Sequence, residues 1–249
     1  MLFIRYPKIK MALMPLLVLL AACAGPEVAS GIYDPFETEN RRTHEVNRKL
    51  DRVLLRPSSG AYGKILPEEV RNGVGNFSSN LSMPSIVLND LLQMQIGDAI
   101  HNSARLIVNT TLGLGGLFDV ATKGGIPVRS SDFGETLHVW GFKEGAYIEL
   151  PLLGPSTTRD TFGGVVNLIL DPVGHMVAPR HRIVVTATSA ASSLGDRYRY
   201  TDTIDSILYE SADSYAQARL LYLENRRFQL GIGEGEEDDL YDIYDESYE

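Results

Sequence analysis

Five histidines, one cysteine and a set of spaced aspartates are the side chains with the widest chemical repertoire in this 249-residue sequence. Zinc hydrolysis needs two histidines one helical turn apart, as in HExxH, so that both rings reach one ion. His44, His101, His138, His175 and His181 form no such pair; the last two stand six apart across Pro179. A serine nucleophile needs an elbow such as GxSxG, and none occurs. Gly113-Leu114-Gly115-Gly116 has the glycine content of a phosphate loop but not its Gly-Lys-Ser/Thr ending or a preceding strand, so a flexible joint is the plainer reading. Asp119, Asp132, Asp160 and Asp171 would have to pair for acid–base work, yet each stands near a predicted helix start, where an aspartate caps free backbone N–H groups. These patterns support no catalytic residue, no metal site and no cofactor.

Cys23 has a different context. Arg5, Lys8 and Lys10 precede an apolar run from Met11 to Leu20 and then small residues, the pattern of a secretory signal too short to persist as a spanning helix. Leu20-Ala21-Ala22-Cys23 resembles the bacterial lipobox, which predicts cleavage before Cys23 and acylation of its thiol and new amino group. Several acyl chains anchor a protein stably where one does not. Ala24 follows the cysteine where aspartate would mark inner-membrane retention, so the resemblance to sorted lipoproteins points to the outer membrane. Cleavage removes three bases and takes the net charge from −9 to −12. Nine of the 32 acids lie from Glu234 to Glu249 with no base among them, leaving 23 acids against 23 bases elsewhere. A near-neutral body has no basic footprint for nucleic acid. The tail reads as a solvated, disordered extension; Leu240 with Tyr241, Tyr244 and Tyr248 leaves a second option, docking to a basic patch on a partner.

Between leader and tail the patterning is helical. Asp34-Pro35 predicts a helix start, with the aspartate as N-cap, for a polar helix ending before Pro57; Pro67-Glu68-Glu69 opens a second. A third is predicted from Pro84, with Val87, Leu88, Leu91 and Leu92 on one face and Ile86, Met94 and Ile96 widening it. A fourth spans Asp98 to Leu112 and is broken by the following glycines. Thr161 to Ala178 carries one charge, Asp171, and must be buried in protein or in lipid; Ile183 to Leu194 leaves helix and strand both open. Tyr147 to Leu150 is extended, an arm of a hairpin, and Asp205 to Gln229 closes the body as one long helix. No internal apolar run reaches the roughly 18–20 residues of a spanning helix. Several low-charge faces beside a lipid anchor instead fit helices lying in an interface, although such helices are usually rich in Lys and Arg and these are not.

A succession of motifs runs in one order through roughly residues 34 to 228. It begins with Asp34-Pro35-Phe36-Glu37 and Asn40-Arg41, then Arg71-Asn72-Gly73-Val74, Asn76-Phe77 and Asn80-Leu81. Asn89, Leu91-Leu92-Gln93, Arg105, Asn109-Thr110, Gly113, Gly116 and Asp119 follow in order. Asp132-Phe133-Gly134, Thr136-Leu137, Trp140-Gly141, Leu150-Pro151, Gly154-Pro155-Ser156 and Arg159-Asp160 continue it, with Arg219, Tyr222 and Arg226 near the end. This succession is similar to that of the MlaA (VacJ) family of outer-membrane lipoproteins; Glu39 and His44 stand where that family usually carries apolar or aromatic residues, and His138 where it usually has glycine.

The resemblance implies a mainly α protein: a single ring-shaped helical domain lying in the periplasmic leaflet of the outer membrane, with a short hairpin. Its segments would be a signal peptide (1–22), a lipidated linker (23–33), the helical domain (34–233) and the acidic tail (234–249). It implies a lipoprotein that removes mislocalised phospholipid from the outer leaflet through an amphipathic channel. The implied partners are a trimeric porin and a periplasmic lipid carrier that feeds an inner-membrane ABC transporter. Gly141 and Gly145 bracket the hairpin that lies beside the family's channel and are candidates for gating, against simple turn geometry. Asn47 is a candidate for holding the closed arrangement, against an exposed helix asparagine. Arg105 and Arg159 are candidates for headgroup contact, against pairing with Asp119 and Asp160. The alternatives are a porin-associated structural lipoprotein without transport and a lipid hydrolase, the latter disfavoured by the missing nucleophile motif.

Overall fold

The computed structural model describes residues 32–232. The leader, Cys23 and the acidic tail lie outside the described residues. The first polar stretch forms helix α1 (Glu37–Leu50), which does not stop before Pro57. It passes through one π-helical turn (Asp51–Leu55) into α2 (Arg56–Ile65). A proline ring clashes with the carbonyl four residues back, and the wide turn immediately before Pro57 makes the room that a regular α-helix lacks. Asp34 is not the cap either. Phe36 occupies that position without a side-chain hydrogen bond, and Asp34 instead accepts from Asn40 and from Tyr215 and Arg219 of the last helix.

Helix α3 (Glu68–Leu92) merges the two helices expected on either side of Pro84. An internal proline forfeits a backbone bond and costs about 3 kcal/mol in isolation; here Asn80, Met83, Asn89 and Asp90 on the same rod are all buried, and their contacts outweigh it. Helix α4 (Ile96–Thr111) ends at the expected glycines, after which comes the short α5 (Val120–Lys123) and then α6 (Phe133–Val139). Asp119 and Asp132 cap α5 and α6, each accepting from the backbone N–H three residues on.

Strands β1 (Tyr147–Leu150) and β2 (Gly154–Thr157) pair antiparallel as the expected hairpin, with Tyr147 opposite Thr157 and Glu149 opposite Pro155. Helix α7 (Thr158–Leu170) is capped by Thr157, not Asp160, and Asp171 caps α8 (Pro172–Met176). The ambiguous Val/Thr/Ala stretch is helical, within α9 (Arg182–Arg199). The closing helix is not single: α10 (Thr201–Asp205) runs into a π turn (Ser206–Glu210), and Ser211 to Asp213 break the chain before α11 (Ser214–Gln229). Asp213 caps α11 through Ala216 N–H, and that cap sets the break. Among the described residues no helix is long and apolar enough to cross a membrane.

Candidate functional site

The described residues are partitioned the opposite way from a water-soluble domain. Nine hydrophobic side chains are buried against twenty polar or charged ones, while 33 large hydrophobic side chains are exposed. The outward set includes Leu168 and Met94 at 80% exposure, Leu153 at 79% on the hairpin turn, Met176 at 84% and Ile183 at 70%. Single exposed leucines are ordinary, but so many beside a polar interior describe a body whose exterior is matched to hydrocarbon. The low-charge stretch from Thr161 to Ala178 is thus not buried in protein: Val165, Leu168, Ile169 and Met176 all face outward.

Hydrogen-bonded polar networks take the place of an oily core. Arg197 on α9 grips Asp51 with Nε and Nη2 at 2.8 and 2.9 Å and reaches Asp205 with Nη2 at 2.6 Å. Tyr209 donates to Asp51 at 2.7 Å, and Arg56 pairs with Asp205 at 2.6 Å. Burial raises the Asp51 carboxyl, but the hydrogen bonds from Arg197 and Tyr209 outweigh it and hold Asp51 below the usual carboxylate range. The cluster therefore stays charged and ties the α1–α2 rod to α9 and α10. A second network joins α3 to its neighbours: Asn102 donates to Asp90, Gln93 to Thr136, Thr136 to Asn89 and Asn89 to Asn167. A third joins α11 to α6 and α7, with Arg226 between Asp132 and Asp160 at 2.8 and 3.1 Å and Tyr222 donating to Asp160 at 2.8 Å.

Within this body the largest cavity described, about 900 Å³, lies between α3 and α9. Its α3 wall is a stripe with a helical repeat: Glu68, Arg71, Asn72, Gly75, Asn76, Ser79 and Ser82. The facing wall carries Ser192, Asp196, Arg199 and Asp202. Arg199, late in α9, donates to Asn72 early in α3 at 2.6 Å, and further along α3 a Cβ at Gly75 would lie 3.8 Å from Ser192 Oγ, so the walls run antiparallel. Charge is concentrated at one end, and hydroxyls and amides line the rest. That end is fixed by Tyr198, whose ring has room only because residue 63 is glycine: a Cβ there would fall 2.2 Å from Tyr198 Cγ. The Arg71 guanidinium lies over the Tyr198 ring at 4.9 Å from its centroid and donates to the Gly63 and Leu66 carbonyls. From Glu68 to Ser82 a helix rises about 21 Å, close to the roughly 20–22 Å of one leaflet with its headgroups.

The residues singled out in the sequence do not gather at this cavity. Arg105 is buried and donates to Asp119 at 2.7 Å, to Thr122 and to the Ile126 carbonyl, clamping the glycine loop. Burial raises Asp119, but Arg105 and Thr122 outweigh it and hold its carboxyl at about 2. Arg159 is 1% exposed and reaches Asp160 at 3.2 Å. Asn47 is part of the hairpin's seat: its amide donates to the Leu150 carbonyl at 2.9 Å and to Glu149 at 3.2 Å, and its oxygen accepts from Leu152 N–H at 2.8 Å. Gly141 and Gly145 do not bracket the hairpin. They enclose the segment before it, because the strands begin only at Tyr147. Both have positive φ, and a Cβ at Gly145 would fall 2.0 Å from Thr158 Oγ1, so its conformation and its close approach both require glycine.

His44 faces inward, between Glu149 at 3.3 Å and Ser214 at 3.0 Å, and so belongs to the interior polar network. Glu39 is outward and pairs with Arg42 at 2.7 Å. His138 is partly buried; burial and the charges of Arg159 and Arg226 push its pKa down. The cavity-lining stripe of α3 escaped residue-by-residue reading, although its signal was present as polar residues at three- and four-residue spacing from Glu68 to Ser82.

A mainly helical body with a polar interior, many exposed apolar side chains and no spanning helix among the described residues has the make-up of a lipoprotein domain of the cell envelope. The chain belongs to the MlaA lipoprotein family, whose sequence model matches residues 32–229. It is similar to an uncharacterized protein of Rickettsia felis, 35% identical over 189 residues that cover 76% of this chain and 74% of that one. It is also similar to the intermembrane phospholipid transport system lipoprotein MlaA of Escherichia coli K12, 29% identical over 221 residues, 87% of this chain and 86% of that one. A solved structure described under "Structural basis for maintenance of bacterial outer membrane lipid asymmetry" superposes with a TM-score of 0.69 at 29% identity, covering 79% of this chain and 98% of that one.

Proposed function

We propose that this chain is an outer-membrane lipoprotein that draws mislocalised phospholipids from the outer leaflet and passes them toward the periplasm, maintaining lipid asymmetry. The observation that carries the reading is the polar cavity, about one leaflet long, in a body that exposes 33 large hydrophobic side chains. Acyl chains around the body match its outward side chains, and a charged headgroup moves along serine and asparagine without entering hydrocarbon, where it is costly. The family membership and the names of the relatives support the same reading. No bond is made or broken in this process, so no catalytic group is required.

The finer assignments belong to the proposal. Cys23 carries the acyl anchor that holds the body in the periplasmic leaflet. A trimeric porin packs against part of the apolar exterior, and a soluble periplasmic carrier receives the lipid for an inner-membrane ABC transporter. Gly141 and Gly145 give the segment before the hairpin the freedom to move, and Asn47 holds the hairpin in its closed position. Arg105 acts by holding the glycine loop in place, its guanidinium being taken up by Asp119, Thr122 and the Ile126 carbonyl, and Arg159 acts through its pairing with Asp160.

Deleting the gene is expected to raise phospholipid in the outer leaflet, measured by labelling intact cells with a reagent that does not cross the outer membrane. An unchanged level would reject the transport reading and favour a structural lipoprotein.

A further inference from the structure

The charged end of the cavity has an unusual property. Five ionised side chains, Glu68, Arg71, Asp196, Arg199 and Asp202, line one space. The buried arginines of the body, Arg105, Arg159, Arg197 and Arg226, are paired with carboxylates; Arg71 and Arg199 are not. Arg71 donates to the Gly63 and Leu66 carbonyls and lies against Tyr198, and Arg199 donates to Asn72. Among the described residues no ion pair joins Glu68, Asp196 or Asp202 to a base. Two guanidinium groups and three carboxylates thus face the same cavity uncompensated, with one negative charge in excess.

We infer that this end is a headgroup station that selects zwitterionic phospholipids, those with one phosphate and one ammonium group, over phospholipids of net negative charge. The inference rests on the transport reading of the cavity. A phosphate accepts charge-assisted hydrogen bonds from Arg71 and Arg199, which have donors to spare after their neutral partners are served. A tethered ammonium group then meets Glu68, Asp196 or Asp202. An anionic headgroup with a neutral polar end satisfies the arginines equally well but leaves all three carboxylates unpaired, and its charge adds to their excess. The rest of the track, Ser78, Ser79, Ser82 and Ser192, is uncharged and treats both headgroups alike. Discrimination is therefore confined to the mouth, and passage beyond it is permissive.

The test uses the full mature chain in a nonionic detergent at low ionic strength, with dihexanoyl-phosphatidylethanolamine and dihexanoyl-phosphatidylglycerol as probes, both below their micellar concentrations. Calorimetry is expected to show the ethanolamine lipid binding about fivefold more tightly, the scale of two partly exposed ion pairs, with the ratio shrinking as salt is raised. The double substitution Asp196→Asn with Asp202→Asn removes two exposed charges at nearly constant shape and should bring the ratio close to one, chiefly by strengthening the glycerol lipid. Equal binding to the natural chain, or a preference that survives the double substitution unchanged, would overturn the headgroup inference while leaving the cavity as a lipid path. Binding of neither lipid would overturn the path reading and the inference together.

Discussion

Replacing Arg197 by alanine is expected to destabilise the body by about 3–5 kcal/mol, because it removes the cation between two buried carboxylates and leaves their desolvation uncompensated. Among the described residues Arg197 is the only base bonded to Asp51, through two hydrogen bonds, and it shares Asp205 with Arg56. The effect is large because little apolar packing stands behind it: the buried hydrophobic cluster described consists of Tyr147, Tyr215 and Leu223, on the hairpin and α11. Urea unfolding in a mild detergent, followed by emission from Trp140, the single tryptophan, reads the change directly. Restoring neutrality with Asp51→Asn beside Arg197→Ala should recover part of the loss. A cost under about 1 kcal/mol for the single substitution would show that this cluster is a surface pair and not a structural tie.

The second large effect separates lipid from water as the exterior's solvent. Leu168 is 80% exposed on α7. Were it in water, Leu168→Asp would change stability by no more than about 0.5 kcal/mol. In hydrocarbon an aspartate costs about 2.5–3.5 kcal/mol, which is roughly a hundredfold in partitioning. The contrast is cleanest when the acyl anchor is absent, so the substitution belongs in a Cys23→Ser chain, with binding to phosphatidylethanolamine-rich vesicles measured by flotation. A fall of about a hundredfold is expected. Unchanged binding would place α7 outside the bilayer.

Much of the architecture was legible because local signals and tertiary contacts agreed. The breaks after α4, the start of α3 and the hairpin all carried punctuation that the chain obeys: Gly113, Pro67 and Pro151. The errors fall where tertiary bonds override local rules. Asp34 has the sequence of a helix cap, but Arg219 and Tyr215 some 180 residues away take its carboxylate. Pro84 has the sequence of a helix start, but the buried asparagines around it keep α3 whole. Nothing near Asp205 announces the break at Ser211 to Asp213, which depends on the Asp213 cap and on its bidentate pairing with Arg41.

The apolar faces were visible as low-charge stretches. Which faces looked outward was not visible, since a wide apolar stripe has the same period whether it meets protein or lipid. The inverse pattern was the better guide and was read only as a family motif. Arg71-Asn72, Asn76 and Asn80 recur at helical spacing, and three of the four line the cavity.

Ser79 is the place to block the movement of lipid headgroups along the cavity between α3 and α9. It lies on the uncharged part of the track, beyond the charged mouth and far from the buried ionic ties. Cells lacking the chromosomal gene would be complemented with the natural chain or with Ser79→Trp, and outer-leaflet phospholipid measured at matched protein levels in isolated outer membranes. The natural chain is expected to return the phospholipid to its ordinary low level, and Ser79→Trp to leave it as high as the deletion does. Full restoration by Ser79→Trp would contradict the account, because a side chain that fills the passage would have left transport intact.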